Sequence, residues 1–243
     1  MRGPPTLGAV RAGIGRRVDR RVASAAFGLV LLVLAPVAAL SGASEPVLAR
    51  RDPAAALELF QLLRTGEHSD YIVDFTFTRV RSSDGQRLTS STIVARYGRA
   101  LLTRGGGSLS VELPTLVYDC QQVAGRPSCT KRPQSASISP SQVVGLAIVL
   151  GKYDAVRTGD ASIAGERARC FRIRARSPRD EVAGLGRETV LCMAGDGIPL
   201  RTRVVGTLST DERDATRVRR TVDDSALRAL LVGFDTAAPK LSR

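Results

Sequence analysis

The chain has no tryptophan, two methionines, one histidine and four cysteines, and aromatic residues make up only 4% of its 243 residues. Each scarcity closes a route to chemistry. The single histidine, His68, stands beside Glu67 and Asp70 in a polar stretch, and no motif brings a nucleophile near it, so it reads as a solvated loop residue rather than a general base. The cysteines fall as two pairs, Cys120 with Cys129 and Cys170 with Cys192. Neither pair has C-x-x-C spacing, which argues against a zinc site and against a redox couple of the type that lowers a thiol pKa. Gly105 to Gly107 form a glycine run, but no G-K-[ST] or G-x-G-x-x-G context accompanies it, so a turn is the better account. The acidic pairs Asp211-Glu212 and Asp223-Asp224 lie in charged segments without metal-ligand spacing. The sequence therefore assigns no catalytic residue, no metal ligand and no cofactor, and an enzyme is the disfavoured class.

Charge of one sign dominates. The formal net charge is +13, of which residues 1–43 supply +5, six arginines against Asp19, and the remainder +8. The arginines of the remainder are scattered at alternate strand positions with no recognised nucleic-acid motif, so no nucleic-acid partner is expected. Attraction to an anionic membrane surface fits the excess better.

The basic flank at residues 2–21 precedes an apolar run from Val22 to Leu40 containing F-G-L-V-L-L-V-L-A. A basic flank of this kind holds the N-terminus in the cytoplasm and sends the downstream chain across the membrane. Small residues at Val37-Ala38-Ala39 and Ser41-Gly42-Ala43 offer cleavage sites, and the run is also long enough to span a bilayer uncleaved, so residues 1–43 read as a signal peptide or an N-terminal anchor. Leu40-Ser41-Gly42-Ala43 has the form of a lipobox with Ala in place of the essential cysteine, which excludes lipid modification there. Two disulfides, 120–129 and 170–192, suit the oxidising, extracytoplasmic compartment this leader implies. The 22-residue separation of the second would contribute about 3 kcal/mol in the chain-entropy model.

The rest divides into a spacer at 44–52, one domain at 53–235 and a tail at 236–243. Its organising stretch is Arg169 to Gly206. Arg172 and Arg174 alternate with Phe171, Ile173 and Ala175, and Thr189, Leu191 and Met193 alternate with Val190 and Cys192, the period of strands with one buried face. Asp196-Gly197 ahead of Ile198-Pro199 signals a tight turn, giving a three-stranded meander with both sulfurs on its outer face. Upstream, Pro53 opens a helix over A-A-A-L-E-L-F-Q-L-L, and Tyr71, Val73, Phe75 and Phe77 share one face of the first strand. Asp84-Gly85 marks a hairpin into a strand on which Ile93, Ala95 and Tyr97 alternate. Strands come next over A-L-L-T, S-L-S-V-E-L, and a pair around V-A-G-R-P-S. Ser139 caps a helix with Pro140 at its first position and Gly151 at its end, apolar almost all round from Val143 to Leu150. It is too short to span a bilayer, so both its faces are expected to need cover. A strand through Ala155, a late strand over D-A-T-R-V-R-R-T-V and a short helix or irregular cover over 225–231 complete the reading.

This order of elements, with L-E-L-F-Q-L-L leading into Y-I-V-D-F-T-F-T-R and G-R-E-T-V-L-C-M-A-G-D-G-I-P-L-R late in the chain, resembles the LolA-like superfamily of lipoprotein carriers, RseB-type regulators and LppX/LprG-type lipoproteins. The resemblance implies an α+β fold: a strongly curved antiparallel sheet of about 8–11 strands, an incomplete barrel, with helices plugging its concave face. It implies a non-enzymatic, monomeric, extracytoplasmic domain, secreted or anchored through 22–43, that holds a lipid or lipid-modified protein in an apolar cavity. The alternative is an envelope protein-interaction or sensing module of RseB type. Tyr71, Val73, Phe75, Phe77, Ile93, Val143, Val144, Ala147, Ile148, Phe171 and Leu191 are the expected cavity residues. Whether the 140–150 helix is a movable lid or plain core stays open at this level.

Overall fold

The computed structural model describes residues 52–134, 139–234, 237–239 and 241, so the expectations for the leader and for part of the tail lie outside the described residues. Eleven strands form one antiparallel sheet. Helix α1 (Pro53–Glu67) leads into a six-stranded meander: β1 (Tyr71–Arg81), β2 (Arg87–Tyr97), β3 (Ala100–Gly105), β4 (Ser108–Glu112), β5 (Leu116–Val123) and β6 (Arg126–Pro133). Helix α2 (Pro140–Val149) comes next, then a second meander of β7 (Tyr153–Ile163), β8 (Glu166–Ala175), β9 (Glu188–Ala194), β10 (Pro199–Val205) and β11 (Ser209–Arg219), and finally α3 (Asp224–Leu231).

The strand order is β6-β5-β4-β3-β2-β1-β11-β10-β9-β8-β7. First and last strands therefore meet at a central seam, where Val73 pairs with Val218 and Phe77 with Arg213. The two edges, β6 and β7, do not pair with each other, and the sheet stays open. Edge β6 carries Pro127, Pro133 and basic residues among its mostly exposed positions, and β7 has a register shift between Arg157 and Gly159. Proline, charge and a bulge are the devices that stop an open edge from templating another chain.

The register identifies the two faces. Tyr71 pairs with Arg96 and Arg96 with Leu101, while Phe77 pairs with Arg213, Arg213 with Thr202 and Thr202 with Leu191. Leu101 on β3 and Leu191 on β9 are five strand spacings apart, about 24 Å in a flat sheet, yet both line one cavity. The sheet curls toward the face that carries them. Against the β7–β9 part of this inner face, α1 and α2 bury Leu59, Leu62, Leu63, Val144 and Ala147 on Tyr153, Phe171, Ile173 and Met193. Helix α3 lies on the other face, packing Leu227 and Leu230, with Phe234 from the turn after it, against Ile72, Ala95, Leu102, Leu109 and Val111.

Both disulfides form, Cys120–Cys129 across the β5–β6 pair and Cys170–Cys192 across β8–β9. The second joins the strands on the face opposite Leu191, as the alternation requires. The carboxylates are drawn into surface ion pairs such as Arg79–Asp211, Arg176–Asp154 and Arg220 with Glu166 and Asp196, and the basic excess is left over from that pairing. Exposed pairs of this sort contribute little to stability, about 0–1 kcal/mol each.

Two expectations are corrected. Ile93 pairs with Asp74, one residue out of phase with Tyr71 and Val73, so the hairpin register turns it to the α3 face, where it packs with Tyr97 and Leu102. And α2 is covered on one side only: Ser141, Val144 and Ala147 are buried, whereas Leu146, Val149 and Leu150 are exposed.

Candidate functional site: a hollow beneath two helices

Helix α1 starts where Asp52 Oδ1 accepts the Ala55 N–H at 3.0 Å, with Pro53 in the first turn. Its apolar residues recur with helical period and face β7–β9. Its last turn is seated on the β9–β10 turn through glycines: a Cβ on Gly66 would lie 2.0 Å from the Gly197 carbonyl oxygen, and one on Gly197, whose φ is +77°, would lie 2.1 Å from the Leu62 oxygen. Only the backbones meet there, which fixes the height of α1 above the sheet. Ser69 Oγ adds a 3.2 Å hydrogen bond to the Asp196 oxygen.

Helix α2 has a capping box. Ser139 Oγ accepts the Gln142 N–H, and Gln142 Oε1 accepts the Ser139 N–H at 2.9 Å. Beside it the Glu67 carboxylate, at the end of α1, accepts the Ser141 N–H at 2.8 Å and the Ser141 hydroxyl at 2.9 Å. An anion at a helix N-terminus is favoured by the unpaired N–H groups and the helix dipole. The N-terminal end of α2 is thus pinned to α1. Farther along, Gly145 leaves room for the Phe60 ring; a Cβ there would sit 3.3 Å from it.

Between these helices and the inner face lies a cavity of about 400 Å³. Leu63, Tyr71, Val94, Leu101, Val143, Val144, Leu191 and Met193 supply its apolar walls, and the loop at Ala183, Gly184 and Leu185 closes one side. That loop is held by buried Tyr153, whose hydroxyl donates to the Gly186 oxygen at 2.6 Å and accepts the Val182 N–H at 2.8 Å. Polar groups are few. Arg96 donates to the Glu67 carbonyl at 3.3 Å, and its buried Nε has no partner. Burial pushes the Tyr71 phenol above its ordinary pKa, with the neighbouring Arg96 pulling the other way.

A second cavity, about 570 Å³, continues along the same inner face with Arg213 lining both. Here the wall changes character. On β2, Val94 gives way to Thr92 and Ser90; on β3, Leu101 gives way to Thr103; and Ser108, Ser110, Asp119 and Gln121 extend it on β4 and β5. Phe77 is the aromatic residue of this part, with the Arg213 guanidinium 5.8 Å from its ring centroid. The inner face is therefore apolar under the helices and rich in hydroxyl groups away from them, with Asp119, Gln121 and Arg213 among them.

Of the expected cavity residues, the structure brings Tyr71, Val143, Val144 and Leu191 together around the apolar cavity and places Phe77 in the polar one. Val73 and Phe75 are buried among the strands, and Ala147 and Phe171 are buried in the helix-to-sheet core. Ile148 packs at the rim of that core beside a small groove, and Ile93 is on the other face. His68 caps the end of α1, exposed, and among the described residues no cluster of three or more His, Cys, Asp or Glu could hold a metal ion. Sequence reasoning missed Arg96, Arg213, Thr189, Thr202 and the 183–185 loop. Arg96 and Arg213 are legible only once the register is known. Glu67 and Ser141, 74 residues apart, leave no local signal at all.

No protein-family model and no curated protein matches the chain. Among solved structures it is similar to an uncharacterised conserved protein from Thermus thermophilus, 11% identical, over 71% of this chain and 91% of that one, with a TM-score of 0.45. It is similar to MucB, solved in complex with MucA(peri), at 16% identity over 69% of this chain and 56% of that one, TM-score 0.41, so the match spans little more than half of that protein. A LolA-superfamily protein, NE2245 from Nitrosomonas europaea, is 9% identical over 70% of this chain and 96% of that one, TM-score 0.32.

Proposed function

We propose that the domain binds, without chemistry, an amphiphile with at least one alkyl chain, a lipid or the acyl chain of a lipid-modified protein, and that it does so as an extracytoplasmic carrier. The observation that carries this reading is the change of character along the inner face, from Tyr71, Val94 and Leu101 beneath the helices to Thr92, Thr103, Ser110 and Asp119 beyond them. A ligand with one greasy and one polar end matches both halves in a single orientation. The alkyl chain lies against Val143, Val144 and Leu191, each buried CH2 contributing about 0.8 kcal/mol, and the head faces the hydroxyl-lined part. The cavity volumes fall in the range of small-molecule sites, about 300–1,000 Å³. The two disulfides and the basic, apolar leader support placement outside the cytoplasm.

The test is uptake. The full chain purified from membranes should carry lipid by native mass spectrometry and, once stripped, should take up a fluorescent fatty-acyl probe. Val94→Trp, which fills the apolar part, should reduce uptake by about tenfold or more, the equivalent of about 1.4 kcal/mol. A correctly folded chain that carries no lipid and takes up no probe would overturn the reading.

A further inference from the structure

Helix α2 carries no charged residue, and the strip of it turned away from the sheet presents Leu146, Val149 and Leu150 at 51%, 82% and 66% exposure. Val144 on its other side and Val143 at the edge between the two line the hollow, whereas these three line neither the core nor that cavity. Their place in the fold says what they meet. A groove of about 260 Å³ is lined by Asp52, Pro53 and Ala56 from the start of α1 and by Ile148 and Val149 from the end of α2. The exposed apolar end of α2 thus adjoins the point where the chain enters the domain. Eleven residues, 41–51, separate that point from the apolar run ending at Leu40. Even fully extended, they reach no more than about 40 Å. If that run stays in a bilayer, as the anchor reading expects, this tether bounds how far the bilayer can lie from the start of α1.

Charge around the strip agrees. Lys152 is exposed two residues past Leu150, and exposed Arg64 on α1 holds its guanidinium 6.0 Å from the Phe60 ring centroid. The carboxylates around the strip each have a partner: Asp154 pairs with Arg176, Glu58 with Arg169, Asp52 accepts the Ala55 N–H and Glu67 accepts from Ser141. An uncharged apolar ridge with exposed cations beside it is the pattern of a helix lying in a membrane interface, side chains in the acyl boundary and cations at phosphate level.

We propose that the outer strip of α2, Leu146, Val149 and Leu150, docks on a bilayer containing anionic lipid, with Lys152 and Arg64 facing the phosphates. This docking does not depend on whether the hollow holds a ligand.

Because the chain has no tryptophan, Val149→Trp creates a lone reporter at an exposed position, and Val123→Trp, at a 58% exposed position on β5, is its control. Each full-length variant is reconstituted in vesicles of phosphatidylcholine and phosphatidylglycerol, with and without brominated acyl chains. Val149→Trp should emit to the blue of the control and lose most of its intensity to the brominated lipid, while the control loses little. Replacing phosphatidylglycerol with phosphatidylcholine should reverse much of that loss. The proposal fails if Val149→Trp stays as unquenched as Val123→Trp. It also fails if Val149→Trp shifts blue without bromine quenching while the chain cross-links to itself, which would make the strip a contact between copies. Equal quenching without phosphatidylglycerol would overturn the anionic-lipid requirement.

Discussion

Helices α2 and α3 are alike in length and capping, and opposite in economy. Each begins at a side-chain cap, Ser139 for α2 and Asp223 for α3, and each lies on the sheet, α2 on the inner face and α3 on the outer. Helix α3 is amphipathic: it buries Leu227 and Leu230 and leaves Asp224, Ser225 and Arg228 in solvent. Arg104 donates to the Leu230 oxygen at its C-terminal end at 2.6 Å, where a cation suits the helix dipole. Helix α2 buries small side chains and exposes large ones. The difference separates a helix whose apolar residues are consumed by its own domain from one that carries more apolar surface than the domain uses.

That contrast can be broken or sharpened in order of effect. The largest should come from α3: Leu230→Ala should cost about 2–5 kcal/mol in denaturant unfolding, the range for truncating a buried leucine, and equal stability to the parent would show that α3 is not core. Seating α1 comes next. Gly197→Ala forces a side chain into the Leu62 and Gly66 backbone at a positive φ, and overpacking of this kind costs about 1–3 kcal/mol. It should also loosen α2 through Glu67, read as faster hydrogen exchange at Ser141 and Gln142.

A pH effect should single out α3. The Asp223 carboxyl is held below the usual carboxylate range, first by the Ala226 N–H and then by the Ser225 hydroxyl. A depressed folded pKa means that its contribution is present above the unfolded value, about 3.9, and is lost as pH falls through the lower folded value. Asp223→Asn keeps an acceptor at the cap and should remove that acid dependence while barely changing stability near neutral pH. The smallest effect should be on α2: Leu146→Ser should change unfolding stability by no more than about 0.5 kcal/mol, as for ordinary surface positions. A loss of about 2 kcal/mol or more, that of a buried leucine, would mean that the strip is covered within the folded chain.

Much of this architecture is legible in the sequence because its signals are local. Period-two alternation marks the strands around Phe171 and Leu191, Asp84-Gly85 and Asp196-Gly197 mark hairpins, and Ser139-Pro140 marks the start of α2. The inner face is legible only in part. Alternation groups Ile93 with its neighbours on its own strand, but which face that group serves is decided by pairing with β1, and a one-residue offset reverses it. The polar half of the hollow comes from six strands, each unremarkable alone. Cover on both sides of the apolar helix is a natural expectation because a short apolar run reads the same whether a core or an outside surface receives it.

The seam between β1 and β11 has a consequence in time. Contacts across it join residues more than a hundred positions apart, as in the bond from Thr216 Oγ1 to the Asp74 oxygen, separated by 142. Within each meander, by contrast, hairpins can close as soon as their own strands exist. Assembly dominated by such distant partners is slow, so two half-sheets with bare inner margins should precede the finished wall. The gap cannot close until β11, the last strand of the sheet in chain order, is free to pair with β1.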